Sequence, residues 1–196
     1  MASLMLWLPL VLLRPLLRGR TGYATDGLIV TLGLVMLQRQ ELAPMARPAW
    51  PWVPAYPLIA CLVFALSVWL TAVRPSVYWR QLTFAMGSSS GREHRRLLGF
   101  ALLTATYEEL IWRCIFQPAL AAGIGGPAAV VLTALAFALL HRRRTGGNLP
   151  QIVEIVCFSL LLGSLYALTG DPLLVILIHT IRNYLIHIGQ LNRKQS

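Results

Sequence analysis

Apolar stretches separated by short polar or proline-rich breaks run along almost the whole of this chain. They fall at about 4–17, 26–38, 57–73, 97–121, 128–141, 151–169 and 172–189. A hydrocarbon core about 30 Å thick takes about 20 helical residues. The stretches 97–121, 151–169 and 172–189 reach that length, and 57–73 is just long enough. The stretches 26–38 and 128–141 are short and need a bundle around them. Pro9 and Pro15 break the first stretch, which suits an interfacial or half-inserted helix. The pattern predicts an all-α fold: a polytopic transmembrane helical bundle of about six to seven membrane segments.

The breaks carry their own signals. Gly123, Gly125 and Gly126 end one helix, and Pro127 suits the first turn of the next. Gly170-Asp171-Pro172 predicts a tight turn. Five prolines between Pro44 and Pro57, interleaved with Trp50, Trp52 and Tyr56, predict an interfacial loop with an aromatic belt. Gly87-Ser88-Ser89-Ser90-Gly91 reads as a flexible polar linker. The expected organisation is N-terminal membrane segments and linker over 1–96, a helical core over 97–189 and a cytoplasmic tail over 190–196.

Composition agrees with a membrane protein. Of 196 residues, 57% are hydrophobic and only 12% charged, with a mean hydropathy of +0.65. A soluble domain carries about 25% charged residues. The net charge of +10 would suggest nucleic acid in a soluble protein; here the basic residues mark topology, and no nucleic-acid partner is expected. Thirteen of the 17 fall in one set of alternate loops and two in the other. The positive-inside rule then places the C-terminus in the cytoplasm. Arginine supplies all but one of the basic residues, which suggests a GC-rich bacterial genome and the inner membrane. Cys61, Cys114 and Cys157 show no paired spacing and are expected as free buried thiols.

The exceptions to the apolar pattern carry the chemistry. Glu108, Glu109 and Arg113 lie inside the stretch 97–121. Each costs about 2.5–3.5 kcal/mol at a helix centre even on the lenient insertion scales. Arg113 follows Glu109 by four residues and shares its face, so the two can pair. Glu108 is rotated about 100° away, toward another partner or a water-filled cavity. Phe137 and His141 close the next short helix, and His179 and Asn183 share one face of the last, continued by His187. A carboxylate and an imidazole can hold and deprotonate a water. A second imidazole and a carboxamide can donate to a developing oxyanion. Glutamate with two histidines can equally bind zinc. Counting from the helix ends spreads these groups from the bilayer midplane, at Glu108, to the cytoplasmic edge, at His141.

In order and spacing, Glu108-Glu109-Leu-Ile-Trp-Arg113, Phe137-Ala-Leu-Leu-His141 and His179-Thr-Ile-Arg-Asn183 resemble the EExxxR, FxxxH and HxxxN motifs of the CPBP family, the CAAX proteases and bacteriocin-processing enzymes also called Abi. The run Leu161 to Pro172 is similar to the same pattern, and the resemblance covers about 97–189. It implies an intramembrane glutamic endopeptidase with no cofactor and no assigned metal. Glu108 and His141 would position and activate water, and His179 and Asn183 would form the oxyanion hole. Glu109 and Arg113, with Phe137, would support the site. The implied substrate is a membrane-anchored peptide or a protein's C-terminal tail. The alternatives are a non-enzymatic membrane scaffold or bacteriocin-immunity protein, a zinc-dependent form of the same hydrolysis, and a proton-coupled transporter. The lack of an internal repeat counts against the last.

Overall fold

The structure, a computed structural model, describes residues 50–71, 74–141 and 148–191 and four positions between 25 and 32. The expected segments at 4–17 and 26–38, most of the proline-rich loop and Arg142 to Arg144 lie outside the described residues. A short 3-10 turn, Trp50–Ala55, leads into α1, Tyr56–Thr71. There follow α2, Pro75–Ser88, and α3, Gly91–Glu109, which continues through a π-helical segment, Leu110–Phe116, into α4, Gln117–Ile124. Then come α5, Gly126–His141, α6, Leu149–Thr169, and α7, Pro172–Leu191.

The described residues are helical throughout, as the apolar pattern predicts, but their membrane-crossing potential is more concentrated. Two of the helices, α6 and α7, are both long and apolar enough to cross a bilayer; Val53–Trp69 and Gly126–His141 are shorter apolar helices. Six to seven spans are therefore not established.

Two local expectations are corrected. The stretch 74–88, read as a basic loop, is the helix α2, started by Pro75. Its mixture of Arg80, Gln81 and Thr83 with Trp79 and Phe84 hides it from a search for apolar runs. The Gly87 to Gly91 stretch is a helix break and cap rather than a loose linker. The Ser90 hydroxyl accepts the Glu93 N–H while Glu93 accepts the Ser90 N–H, a reciprocal capping box that starts α3. These bonds hold the Glu93 carboxyl below its ordinary range.

The turn before α7 is built as its sequence suggests. Gly170 takes a left-handed backbone, φ 63°, and closes α6 through its N–H to the Tyr166 carbonyl. Asp171 then caps α7, Oδ1 accepting from the N–H groups of Leu173 and Leu174. Its Oδ2 accepts from the Tyr56 hydroxyl at 2.6 Å, tying the start of α1 to this corner.

The helix α7 is the hub. It packs on α1, α2 and α3, while α5 packs between α4 and α6. Ala101 and Ala105 of α3 are wholly buried, and such small residues let two backbones approach closely. One apolar core gathers Tyr56, Leu110, Ile111, Phe158, Leu162 and Ile178, and a second gathers Phe64, Val68, Leu82 and Ile188. The outer surface is apolar as well: Leu58, Leu62, Leu66 and Trp69 form an exposed stripe along α1. With charged groups inside and leucines outside, the arrangement suits lipid rather than water. Cys114 is buried, but Cys61 and Cys157 face outward, contrary to expectation.

Candidate active site

The site forms where α3 ends. Glu108 and Glu109 occupy the last turn of α3, and the next seven residues wind as a π-helix, closed by the Gln117 N–H donating to the Trp112 carbonyl. Such wide turns are rare and often mark functional positions. Both glutamates are buried, Glu109 completely.

Glu109 binds in two directions. Its Oε2 lies 3.2 Å from Arg113 Nε, an ion pair not aligned as a hydrogen bond. Its Oε1 lies 2.6 Å from His179 Nδ1. Arg113 Nη2 in turn donates to the carbonyl and hydroxyl of Ser159 on α6. The i,i+4 pair expected from spacing is present; the His179 contact is additional and makes Glu109 part of the site's inner structure.

Glu108 faces both histidines. Its Oε1 is 3.5 Å from His141 Nε2 on α5, and its Oε2 is 3.5 Å from His179 Nε2 on α7. His141 Nδ1 is 2.8 Å from the Phe137 carbonyl, which can only accept. That bond places the proton on Nδ1 and turns the Nε2 lone pair toward Glu108 in the neutral ring. The Phe137 ring stacks on His141, with centroids 4.2 Å apart, and meets His179 edge-on at 6.2 Å. Phe158 also packs edge-on against His179, at 5.3 Å. Both imidazoles are thus held at one nitrogen and by an aromatic ring.

Three of the residues that counting from helix ends spreads apart, Glu108, His141 and His179, instead approach one another. His141, in the last described turn of α5, lies beside Glu108. Glu108, Glu109, Arg113, Phe137, His141 and His179 come together. Asn183 is one turn beyond His179 on α7, and its Oδ1 accepts from Arg182 Nη1 at 3.4 Å; no contact above includes it. His187 instead meets the Phe100 ring at 5.4 Å. Among the described residues, no three of His, Cys, Asp and Glu are grouped as a metal site.

The sequence reading passed over a second polar cluster. Arg182 and Glu154 pair through two guanidinium nitrogens, Nε at 3.0 Å and Nη2 at 2.7 Å from Oε1, and Ser67 of α1 also donates to Oε1. The usable signal was one acid in the apolar stretch of α6 and one arginine in that of α7.

Residues 93–185 match the family model described as Type II CAAX prenyl endopeptidase Rce1-like. This segment belongs to the Rce1-like CAAX protease family. The match runs from the first turn of α3 to within the last two turns of α7, so it spans every member of the cluster. The Rce1-like match supports a membrane endopeptidase kind of function, which the apolar helices suit. The comparisons with curated proteins and with solved structures give no match.

Proposed function

We propose that the protein is a glutamate-type intramembrane endopeptidase that cuts a peptide bond in a membrane-anchored peptide or a protein's C-terminal tail. The observation that carries this reading is Glu108, with one carboxylate oxygen facing His141 Nε2 and the other facing His179 Nε2 at 3.5 Å. That separation exceeds a direct hydrogen bond and suits groups that share a small reactant.

In this mechanism Glu108 and His141 orient a substrate water. Glu108 takes one of its protons as the hydroxide oxygen bonds to the scissile carbonyl carbon. The carbonyl π-electrons move to oxygen, and the oxyanion is met by donors from His179 Nε2 and Asn183 Nδ2. His179 Nδ1 points at Glu109, so Nε2 carries a proton when the ring is an imidazolium. Collapse of the intermediate breaks the C–N bond, and the proton held by Glu108 passes to the leaving amine.

Purified protein in detergent is tested with two fluorogenic peptides, one ending in an apolar anchor helix and one in a prenylated cysteine tail. Cleavage of the anchored peptide is expected. Glu108→Gln should abolish it with thermal unfolding nearly unchanged. Full activity in that variant would sink the mechanism.

A further inference from the structure

The polar cluster beside the site has a feature that a simple clamp between helices would not need. Arg182 reaches Glu154 with Nε and Nη2, and its remaining terminal nitrogen, Nη1, lies 3.4 Å from Asn183 Oδ1. We propose that Glu154 and Arg182 are positioning residues that fix the orientation of the Asn183 carboxamide so that its Nδ2 hydrogens face the reacting carbonyl oxygen. The proposal rests on the reading of Asn183 as an oxyanion donor.

A carboxamide is nearly symmetric in shape, and a half-turn about its last bond exchanges oxygen for nitrogen. Only the nitrogen end can stabilise an oxyanion. A guanidinium has five N–H donors and no acceptor, so beside a carboxamide it favours the oxygen. With Oδ1 held by Arg182, Nδ2 is the end left for the substrate. Arg182 must itself be held. Glu154 binds two of its nitrogens, and Ser67 steadies Glu154 from α1. The Arg182 Cζ also lies 4.4 Å from the centroid of Phe158, the ring that packs against His179. The pair thus touches Asn183 directly and His179 through one aromatic ring. A planar fork is what permits two carboxylate contacts and one carboxamide contact at once; lysine cannot make all three.

The test begins with the carboxamide itself. Asparagine occurs only at 148, 183 and 192, so protein labelled with ¹⁵N at asparagine gives few side-chain signals, and Asn183→Ala assigns the relevant pair. In the wild-type protein in micelles the Asn183 pair should be a single set with slow rotation. In Arg182→Lys, and separately in Glu154→Gln, it should shift, with rotation or proton exchange faster by about tenfold, the scale of one lost charged hydrogen bond. With the anchored peptide, Arg182→Lys should lower kcat by about tenfold, less than the hundredfold or more of losing an oxyanion donor outright, and leave KM within about twofold. In an Asn183→Ala background the same substitution should have no further effect. An unchanged Asn183 pair in both variants would overturn the proposal. So would a rate loss that adds fully to that of Asn183→Ala, since a clamp that only joins helices would behave that way. Full activity in Asn183→Ala would remove the oxyanion role, and this proposal with it, while leaving the chemistry at Glu108 standing.

Discussion

His179 Nδ1 lies 2.6 Å from Glu109 Oε1, while its Nε2 faces Glu108 Oε2 at 3.5 Å. Adjacent glutamates on one helix therefore address opposite nitrogens of one imidazole on another. In the proposed mechanism their duties separate by distance: the shorter contact sets the ring's orientation, and the longer leaves a place for a reactant. A metal-ligating or acid-base histidine commonly has its second nitrogen fixed in this manner.

Glu109 should consequently matter for both folding and rate. Glu109→Ala leaves Arg113 buried beside Ser159 without its carboxylate, at a cost of about 3–5 kcal/mol in soluble interiors. Folded yield and thermal stability should fall, and activity should fall further than yield because His179 loses its orienting partner. Specific activity per folded molecule separates the two effects. A well-folded variant of unchanged specific activity would show that the His179 contact is idle.

A glutamate-activated water requires no metal. Exhaustive chelation of the purified protein should leave cleavage of the anchored peptide within about twofold, with less than stoichiometric zinc by elemental analysis. Loss of activity with rescue by zinc alone would replace the carboxylate mechanism with one built on a metal-bound water.

The positive-inside bias predicts entry from the cytoplasmic side. In a cysteine-free background, single cysteines at 108, 141 and 179 should react with a membrane-impermeant thiol reagent in inside-out vesicles. Their reaction only in right-side-out vesicles would reverse the orientation or the direction of opening.

Gly163 marks a close crossing of α4 and α6. The Gln117 side chain donates to its carbonyl at 2.8 Å, and a Cβ there would meet Gln117 Oε1 at 2.9 Å and Val130 Cγ1 at 3.2 Å. Gly163→Ala forces Gln117 to move and strains or breaks that bond, so stability should drop by about 1–3 kcal/mol, read as a lower unfolding temperature. Gly163→Ala combined with Gln117→Ala should recover part of the loss.

The motifs of the candidate site were legible because helical spacing of four residues states which groups share a face. The Glu109–Arg113 pair follows from that rule and is present. Contacts between helices do not follow from it. Glu109 to His179 spans 70 positions and Tyr56 to Asp171 spans 115, and spacing within one helix cannot state either. Helix α2 escaped because it is only half apolar, and the Ser90–Glu93 capping box was hidden in a stretch that composition alone makes look like a linker. Counting from helix ends treats each helix by itself and cannot state which positions on different helices meet, as Glu108 and His141 do.

The π-helical turn between Glu109 and Gln117 has a consequence for how this helix is read by its neighbours. Steps of four residues drift one way around an α-helix, because 3.6 residues complete a turn. In a segment bonded from i to i+5 they drift the other way. The wide segment turns back the drift that α3 accumulates before it, and sets Arg113 against Ser159 and Gln117 against Gly163 at the same offset along α6. The wide turn thus acts as a phase correction. Removing a single residue from it would leave the two glutamates in place and swing Arg113 and Gln117 off α6, unfastening the rear wall of the candidate site without touching Glu108 or either histidine.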